Sequence, residues 1–215
     1  MSVRVTVVQH PIASDALAGM RSTSTSNAEF RGHLDRLGIV LLAEATRSLP
    51  TSEISVTTPL TTTTGHVLSD TPLVVPVLRA GLGFVSAVQQ LFHDVDLGFV
   101  GVTRNEATFE PEVYANKLPQ TIGDRPVIIV DPMLATGGSL DDVIRLVLDC
   151  GATGRIIVVC AISAPEGVAV ITDRYGDSVE IDIFTGAMDE RLNEHAYIVP
   201  GLGDAGDRLF GTPRS

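Results

Sequence analysis

Long hydrophobic runs are missing from this 215-residue chain. Its apolar stretches, among them 73–78 and 127–130, have strand length and fall well short of the roughly 18 to 20 residues that cross a bilayer, so no membrane helix is expected. The start, Met1 to His10, lacks the charged region, apolar stretch and small-residue cleavage site of a secretory signal, which points to the cytoplasm. Cysteine is scarce. Cys150 and Cys160 are too few for a disulfide scaffold and lack metal-ligand spacing, so both read as small buried hydrophobes. Lysine is nearly absent, Lys117 standing alone among 15 basic residues. Positive charge as a whole is short: 15 basic against 26 acidic residues give a formal net charge of -11, which disfavours nucleic acid and anionic membrane surfaces as partners. There is no internal repeat and no interdomain linker.

What is present is the composition of a well-filled globular interior. Hydrophobic residues make up 44%, charged residues only 19%, and the mean hydropathy is +0.27. The length suits one domain spanning 1–215. Ser26 or Asn27 can cap a helix whose apolar positions Phe30, Leu34, Leu37, Leu41 and Ala45 follow helical spacing up to about Leu49, before Pro50. Ile54, Val56 and Thr58 alternate like a half-buried strand, and Thr61 to Thr64 read as β-edge or turn. From Pro72 onward, apolar runs at 73–78, 97–102, 127–130, 156–162 and 179–184 alternate with amphipathic stretches. Phe84, Val85, Val88, Leu91 and Phe92 mark one helix; Leu140, Val143, Ile144, Val147 and Leu148 mark another. The expected fold is α/β, a mainly parallel twisted sheet flanked by helices. N-terminal packing helices fall at about 1–50 and the core sheet at about 72–185. The polar segment from Asn105 to Gln120, with Pro111 and Pro119, is a flap, hairpin or flexible loop. A tail at about 186–215 contains a Gly-rich run, Pro200 to Gly211.

The strongest chemical signal is the run from Val127 to Leu140. A buried strand ends at Asp131, followed by Pro132, Met133, Leu134, Ala135, Thr136, Gly137, Gly138 and Ser139, then an amphipathic helix. This places a small-residue loop and a helix start at the carboxyl end of a strand, where α/β sheets bind ligands. The small residues let backbone N–H groups approach a phosphate, Thr136 and Ser139 add hydroxyls, and the helix dipole favours negative charge. Asp131 at the strand tip can accept hydrogen bonds from the vicinal hydroxyls of a sugar. The loop has neither the Gly-Lys-Ser/Thr of a P-loop nor the spaced glycines of a dinucleotide fingerprint. Taken purely as architecture, the same residues describe a helix start with Ser139 as N-cap and Asp142 completing a capping-box-like pair.

An acidic strand tip followed by Ala-Thr-Gly-Gly-Ser resembles the ribose-phosphate loop of type I phosphoribosyltransferases. The form Asp131-Pro132-Met133-Leu134-Ala135-Thr136-Gly137-Gly138-Ser139 is similar to the uracil phosphoribosyltransferase family in particular, whose pattern has Pro where other relatives have a second acid. The resemblance covers nearly the whole chain. It includes His10-Pro11, Glu44-Ala45-Thr46, the block from Pro76 to Gly83, Arg104-Asn105-Glu106, Ala164-Pro165-Glu166-Gly167, Leu192-Asn193-Glu194-His195 and the tail from Tyr197 to Arg208.

The resemblance implies transfer of ribose 5-phosphate from 5-phosphoribosyl 1-diphosphate (PRPP) to N1 of uracil, giving UMP and diphosphate with Mg2+ as helper. It implies PRPP contacts from Arg79, Arg104, residues 131–139 and Asp204, with Asp204, Arg104 and Asp131 as the catalytic set. Uracil is expected to meet backbone groups of Ile198, Gly203 and Ala205, with Asp204 alongside. Physical chemistry agrees with the types. Departing diphosphate calls for cations, and an arginine can grip two phosphate oxygens as a fork. Uracil's acceptor-donor-acceptor edge can be matched by main-chain groups, and cytosine would leave unpaired groups costing on the order of 1 to 3 kcal/mol each. Mg2+ is expected to ride on PRPP and water with no dedicated protein ligands. A homo-oligomer, dimer or tetramer, and a GTP effector are further expectations of the resemblance.

The chain departs from the family pattern in the flap, where Ala107, Phe109, Glu112 and Val113 replace the usual residues, and at Phe84 and Thr103. Glu106 and Lys117 remain as matched flap residues, the single lysine falling beside the expected site. Two alternatives stand beside the main reading. One is transfer to another base, although orotate would need a cation that Ile198 to Ala205 does not supply. The other is a PRPP or uracil sensor acting on RNA, against which the charge of -11 counts.

Overall fold

A computed structural model of the chain describes residues 2–104 and 111–212. In chain order the elements are β1 (Val3–Val7), α1 (Pro11–Arg21), α2 (Asn27–Ala45), β2 (Thr51–Thr57), β3 (Thr62–Leu68), β4 (Leu73–Leu78), a short 3-10 turn (Ala80–Phe84) and α3 (Val85–Leu91). They continue as β5 (Asp96–Leu97), β6 (Phe99–Arg104), β7 (Pro111–Lys117), β8 (Val127–Val130), β9 (Met133–Leu134), α4 (Gly138–Asp149), β10 (Ile156–Ser163) and α5 (Pro165–Tyr175). The chain closes with β11 (Ile181–Met188), β12 (Arg191–Leu192), β13 (Ile198–Val199) and α6 (Ala205–Phe210).

The central strands are apolar on both sides, so each must be covered twice. Along β8, Ile128 and Val130 belong to one core and Val127 and Ile129 to the other; β10 divides its residues in the same way. Helices α1, α2 and α3 close the first core, and α4 and α5 close the second. The resulting nine-stranded sheet runs β1-β11-β10-β8-β4-β6-β7, with β5 beside β4 and β9 beside β10. Every pairing in it is parallel except β6 with β7. The expected mainly parallel α/β sheet is therefore present.

Local chemistry sets the helix that covers most of one face. Ser26 caps α2, accepting from Glu29 N–H, while the Glu29 carboxylate accepts from Ser26 N–H in a closed capping box. Its apolar stripe, Phe30, Leu34, Leu37, Leu41 and Ala45, is buried throughout.

Several expectations need correction. Ile54, Val56 and Thr58 do not form a half-buried strand: β2 pairs only with β3 as an antiparallel hairpin, and Ile54 and Val67 stay 43% exposed. Alternation there reflects the two faces of a free hairpin, and Thr58 lies in its turn, accepting from Leu60 and Thr61 N–H groups. The polar segment after Arg104 agrees with the hairpin among its expected forms: β7 returns antiparallel along β6, with residues 105–110 outside the described set. Glu106, Ala107 and Phe109 lie there. Lys117 is paired with Phe99, five residues along β6 from Arg104, or about 17 Å at the usual strand rise, so it does not stand at the loop end of the hairpin. Cys160 is buried as expected, whereas Cys150 at the end of α4 is partly exposed.

Candidate active site

The phosphate-type loop leaves β8 at Asp131. Pro132 turns the chain under β10, where its carbonyl accepts from both Ala161 and Ile162 N–H groups, and Met133 and Leu134 pair with Ile162 and Ser163 as β9. The loop is thereby bolted to the sheet on its underside. Above that anchor, Asp131, Met133, Leu134, Ala135, Thr136, Gly137, Ser139, Leu140 and Cys160 enclose a cavity of about 80 Å³. Pro132 and Gly138, expected among the PRPP contacts, do not line it; Pro132 is buried as part of the anchor.

The helix start differs from the capping expectation. The N-cap of α4 is Gly137, held in the left-handed region at φ 84 with no side-chain cap bond. Ser139 is exposed and Asp142 is buried beside Arg145, with which it forms an ion pair. Among the described residues, the backbone N–H groups of Thr136, Gly137, Gly138 and Ser139 find no acceptor. Four free donors therefore converge at a helix N-terminus, a ready site for an anion. Burial pushes the Asp131 carboxyl up to about 7, opposed by the N–H of Met133. Beneath it, the Cys160 thiol is lifted well above its usual value by burial first and then by the Asp131 charge.

A second wall comes from the turn after β4. The Leu78–Arg79 peptide is cis, and Gly81 sits so close to the sheet that a Cβ there would stand 2.5 Å from the Val130 carbonyl oxygen. Only glycine lets this turn lie against the end of β8, next to Asp131. Arg79 is exposed and points across to the tail: a Cβ built on Gly206 would lie 3.9 Å from Arg79 Nη2 and 3.1 Å from Asp204 Oδ1. Arg79 Nη2 and Asp204 Oδ1 thus both lie beside Gly206 although the two residues are 125 positions apart. Arg104 ends β6 in the neighbouring position of the sheet.

The tail forms the third wall. Ile198 and Val199 pair with Leu192 and Arg191, the Val199–Pro200 bond is cis, and Gly201 and Gly203 have φ 67 and φ 83. Asp204 then caps α6, its Oδ1 accepting from Asp207 N–H at 2.8 Å. Ile198 and Ala205 are buried while Gly203 and Asp204 are exposed.

A protein-family model described as uracil phosphoribosyltransferase matches residues 7–212. The chain belongs to the uracil phosphoribosyltransferase family. Curated members of that family from Oceanobacillus iheyensis and Corynebacterium diphtheriae are 46% and 45% identical over 209 and 213 residues, covering 97% and 99% of this chain and 98% and 99% of theirs. The solved structure of the AQ2163 protein from Aquifex aeolicus superposes with a TM-score of 0.89 at 38% identity, covering 96% of this chain and 98% of that one.

In this member of the uracil phosphoribosyltransferase family, residues that carry no local signature also shape the tail. Arg21 at the end of α1 forms a fork with Asp189, Nη2 to Oδ1 at 2.6 Å and Nη1 to Oδ2 at 2.8 Å, and Nη1 also donates to the Gly201 carbonyl at 2.7 Å. Gly201 N–H donates back to Asp189 Oδ2 at 2.8 Å. Arg208 donates to the Leu202 and Ser22 carbonyls and lies 4.7 Å from the Phe30 ring centroid. The Ala164-Pro165-Glu166-Gly167 block also finds its place. Glu166 accepts from Leu192 N–H, and Asn193 Oδ1 accepts from His195 and Tyr197 N–H groups, which shapes the turn into β13.

Proposed function

We propose that the chain transfers ribose 5-phosphate from PRPP to N1 of uracil, releasing UMP and diphosphate. The observation that carries this reading is the set of free N–H donors at Thr136 to Ser139, placed in the sheet next to a turn whose arginine, Arg79, reaches the tail. Those donors hold the 5-phosphate, and Asp131, at the loop entrance, accepts from the ribose hydroxyls. Arg79 and Arg104 hold the diphosphate. As the C1–oxygen bond breaks, the departing diphosphate gains charge that fixed guanidinium groups stabilise without reorganising. The uracil N1 lone pair forms the new bond to C1, and the N1 proton leaves toward solvent or the Asp204 carboxylate oxygen that Asp207 does not occupy.

Uracil is read by main-chain groups of Ile198, Gly203 and Ala205. Asp204 has two tasks, closing α6 and contacting PRPP. Mg2+ fits this donor set. Among the described residues no group of three or more His, Cys, Asp or Glu stands close enough to cage a metal, while Asp131 and Asp204 offer single carboxylates to a cation held through substrate oxygens and water. When bound, Mg2+ neutralises charge on the diphosphate. A single domain, a cytoplasmic location, a homo-oligomer and a GTP effector complete the proposal. Sedimentation with and without GTP tests the last two.

The deciding assay is UMP formation from uracil and PRPP with Mg2+, run beside cytosine, orotate and hypoxanthine. Turnover confined to uracil is expected. No UMP at saturating substrates would sink the reading.

A further inference from the structure

Base reading by main-chain groups needs a rigid backbone, and the tail has little of its own to provide it. Segment 200–204 contains two left-handed glycines, and β13 is only two residues long. What fixes it comes from elsewhere in the chain. Asp189 is buried, its side chain 4% exposed, and Arg21 supplies the compensating charge. Their fork closes a ring on Gly201: Asp189 Oδ2 accepts the N–H of the Pro200–Gly201 peptide, and Arg21 Nη1 donates to the carbonyl of the Gly201–Leu202 peptide. Both peptide units flanking one Cα are thus gripped by one ion pair. Gly201 in turn packs closely on Ile198: a Cβ at Gly201 would stand 2.1 Å from the Ile198 carbonyl oxygen. Displacing Gly201 therefore disturbs the surroundings of that carbonyl.

We propose that Arg21 and Asp189 are positioning residues for the pyrimidine: they touch neither substrate, and they set where the Ile198 and Gly203 main-chain groups stand. The inference deepens the proposed function and rests on it. Three features separate this role from general packing. The pair acts on backbone at the base segment, it draws on a side chain from the opposite end of the sequence, and it uses the two-pronged geometry that only arginine offers. A lysine at position 21 could answer Asp189 but could not also reach the Gly201 carbonyl from the same rigid plane.

The test compares Arg21→Lys, Arg21→Ala and Asp189→Asn with the parent, varying uracil and PRPP separately and following amide exchange along 198–205. Arg21→Lys should remain folded, raise the uracil KM roughly tenfold to a hundredfold, as small misplacements do, and leave the PRPP KM within about twofold. Gly201 and Leu202 amides should exchange faster, while the start of α4 keeps its parental pattern. Guanidinium ion should lower the uracil KM of Arg21→Ala. Equal changes in both KM values, or an unchanged uracil KM, would overturn the inference even if UMP is made. A parent protein that makes no UMP overturns the underlying reading, and the exchange data then report on the clamp alone.

Discussion

Asp131 sits where one side chain must serve two states. Burial raises its carboxyl to about 7, against about 3.9 in an unfolded chain. Between those values the native group keeps a proton that the unfolded chain has released. Its contribution is therefore most favourable below about pH 4 and is lost as the pH rises through about 7. Asp131→Asn removes this dependence, so the melting temperature of the variant should gain on the parent steadily from pH 4 to about pH 7. A constant or shrinking gap in thermal melts would refute the assignment. The same substitution should weaken PRPP use, since the amide replaces an acceptor with a donor. Gly81 makes a different prediction. Its missing Cβ is what allows the Arg79 turn to approach Val130, so Gly81→Ala should destabilise by about 1 to 3 kcal/mol and raise the PRPP KM. Unchanged urea unfolding would count against it. Among the site residues, those on the phosphate loop were legible because they are consecutive and chemically unusual. Arg21 and Asp189 were not, because they stand 168 positions apart and neither sits in a local pattern that differs from an ordinary helix end or strand end.

At the level of elements, legibility followed continuity. β4 and β8 coincide with the apolar runs at 73–78 and 127–130, since a strand buried on both faces leaves an uninterrupted signal bounded by polar residues. β1 leaves no clear signal, because it is an edge strand with little burial and Arg4 and Thr6 interrupt its valines. α6 was hidden inside a glycine-rich run: it has six residues, and its order comes from the Asp204 cap, buried Leu209 and the Arg31 bond to the Leu209 carbonyl. That dependence allows the two tasks of Asp204 to be separated. Asp204→Asn keeps a cap acceptor and loses the charge; Asp204→Ala loses both. The first should cut turnover with little change in melting temperature, and the second should also cost about 1 kcal/mol of stability. Equal stability of the two variants would deny the capping role. For α2, Ser26→Ala should cost about 0.5 to 2 kcal/mol through its capping box, with uracil and PRPP kinetics unaltered.

The whole molecule carries a formal charge of -11, and its proposed donor substrate is a polyanion. Attraction is confined to the loop N–H groups and a few arginines, many of the others being committed to carboxylates such as Asp15, Asp96, Asp141, Asp182 and Asp189. At low ionic strength the outer field repels PRPP over roughly 30 Å, and at physiological salt over roughly 8 Å. Raising salt over that interval should therefore increase kcat/KM for PRPP and leave that for neutral uracil nearly flat. A steep fall for PRPP would mean that a local basic surface governs encounter.

The bond from Arg21 to Gly201 spans 180 positions. During synthesis, α1 leaves the ribosome early and its last arginine must wait for nearly the whole chain before the peptide it grips has been made. Strands β4 to β10 and the phosphate loop, all contained within positions 73–163, are made well before then. Every residue of the phosphate loop and of its anchor on β10 is thus made before any residue of the base segment, whose tie to α1 is a contact that only the nearly finished chain can form.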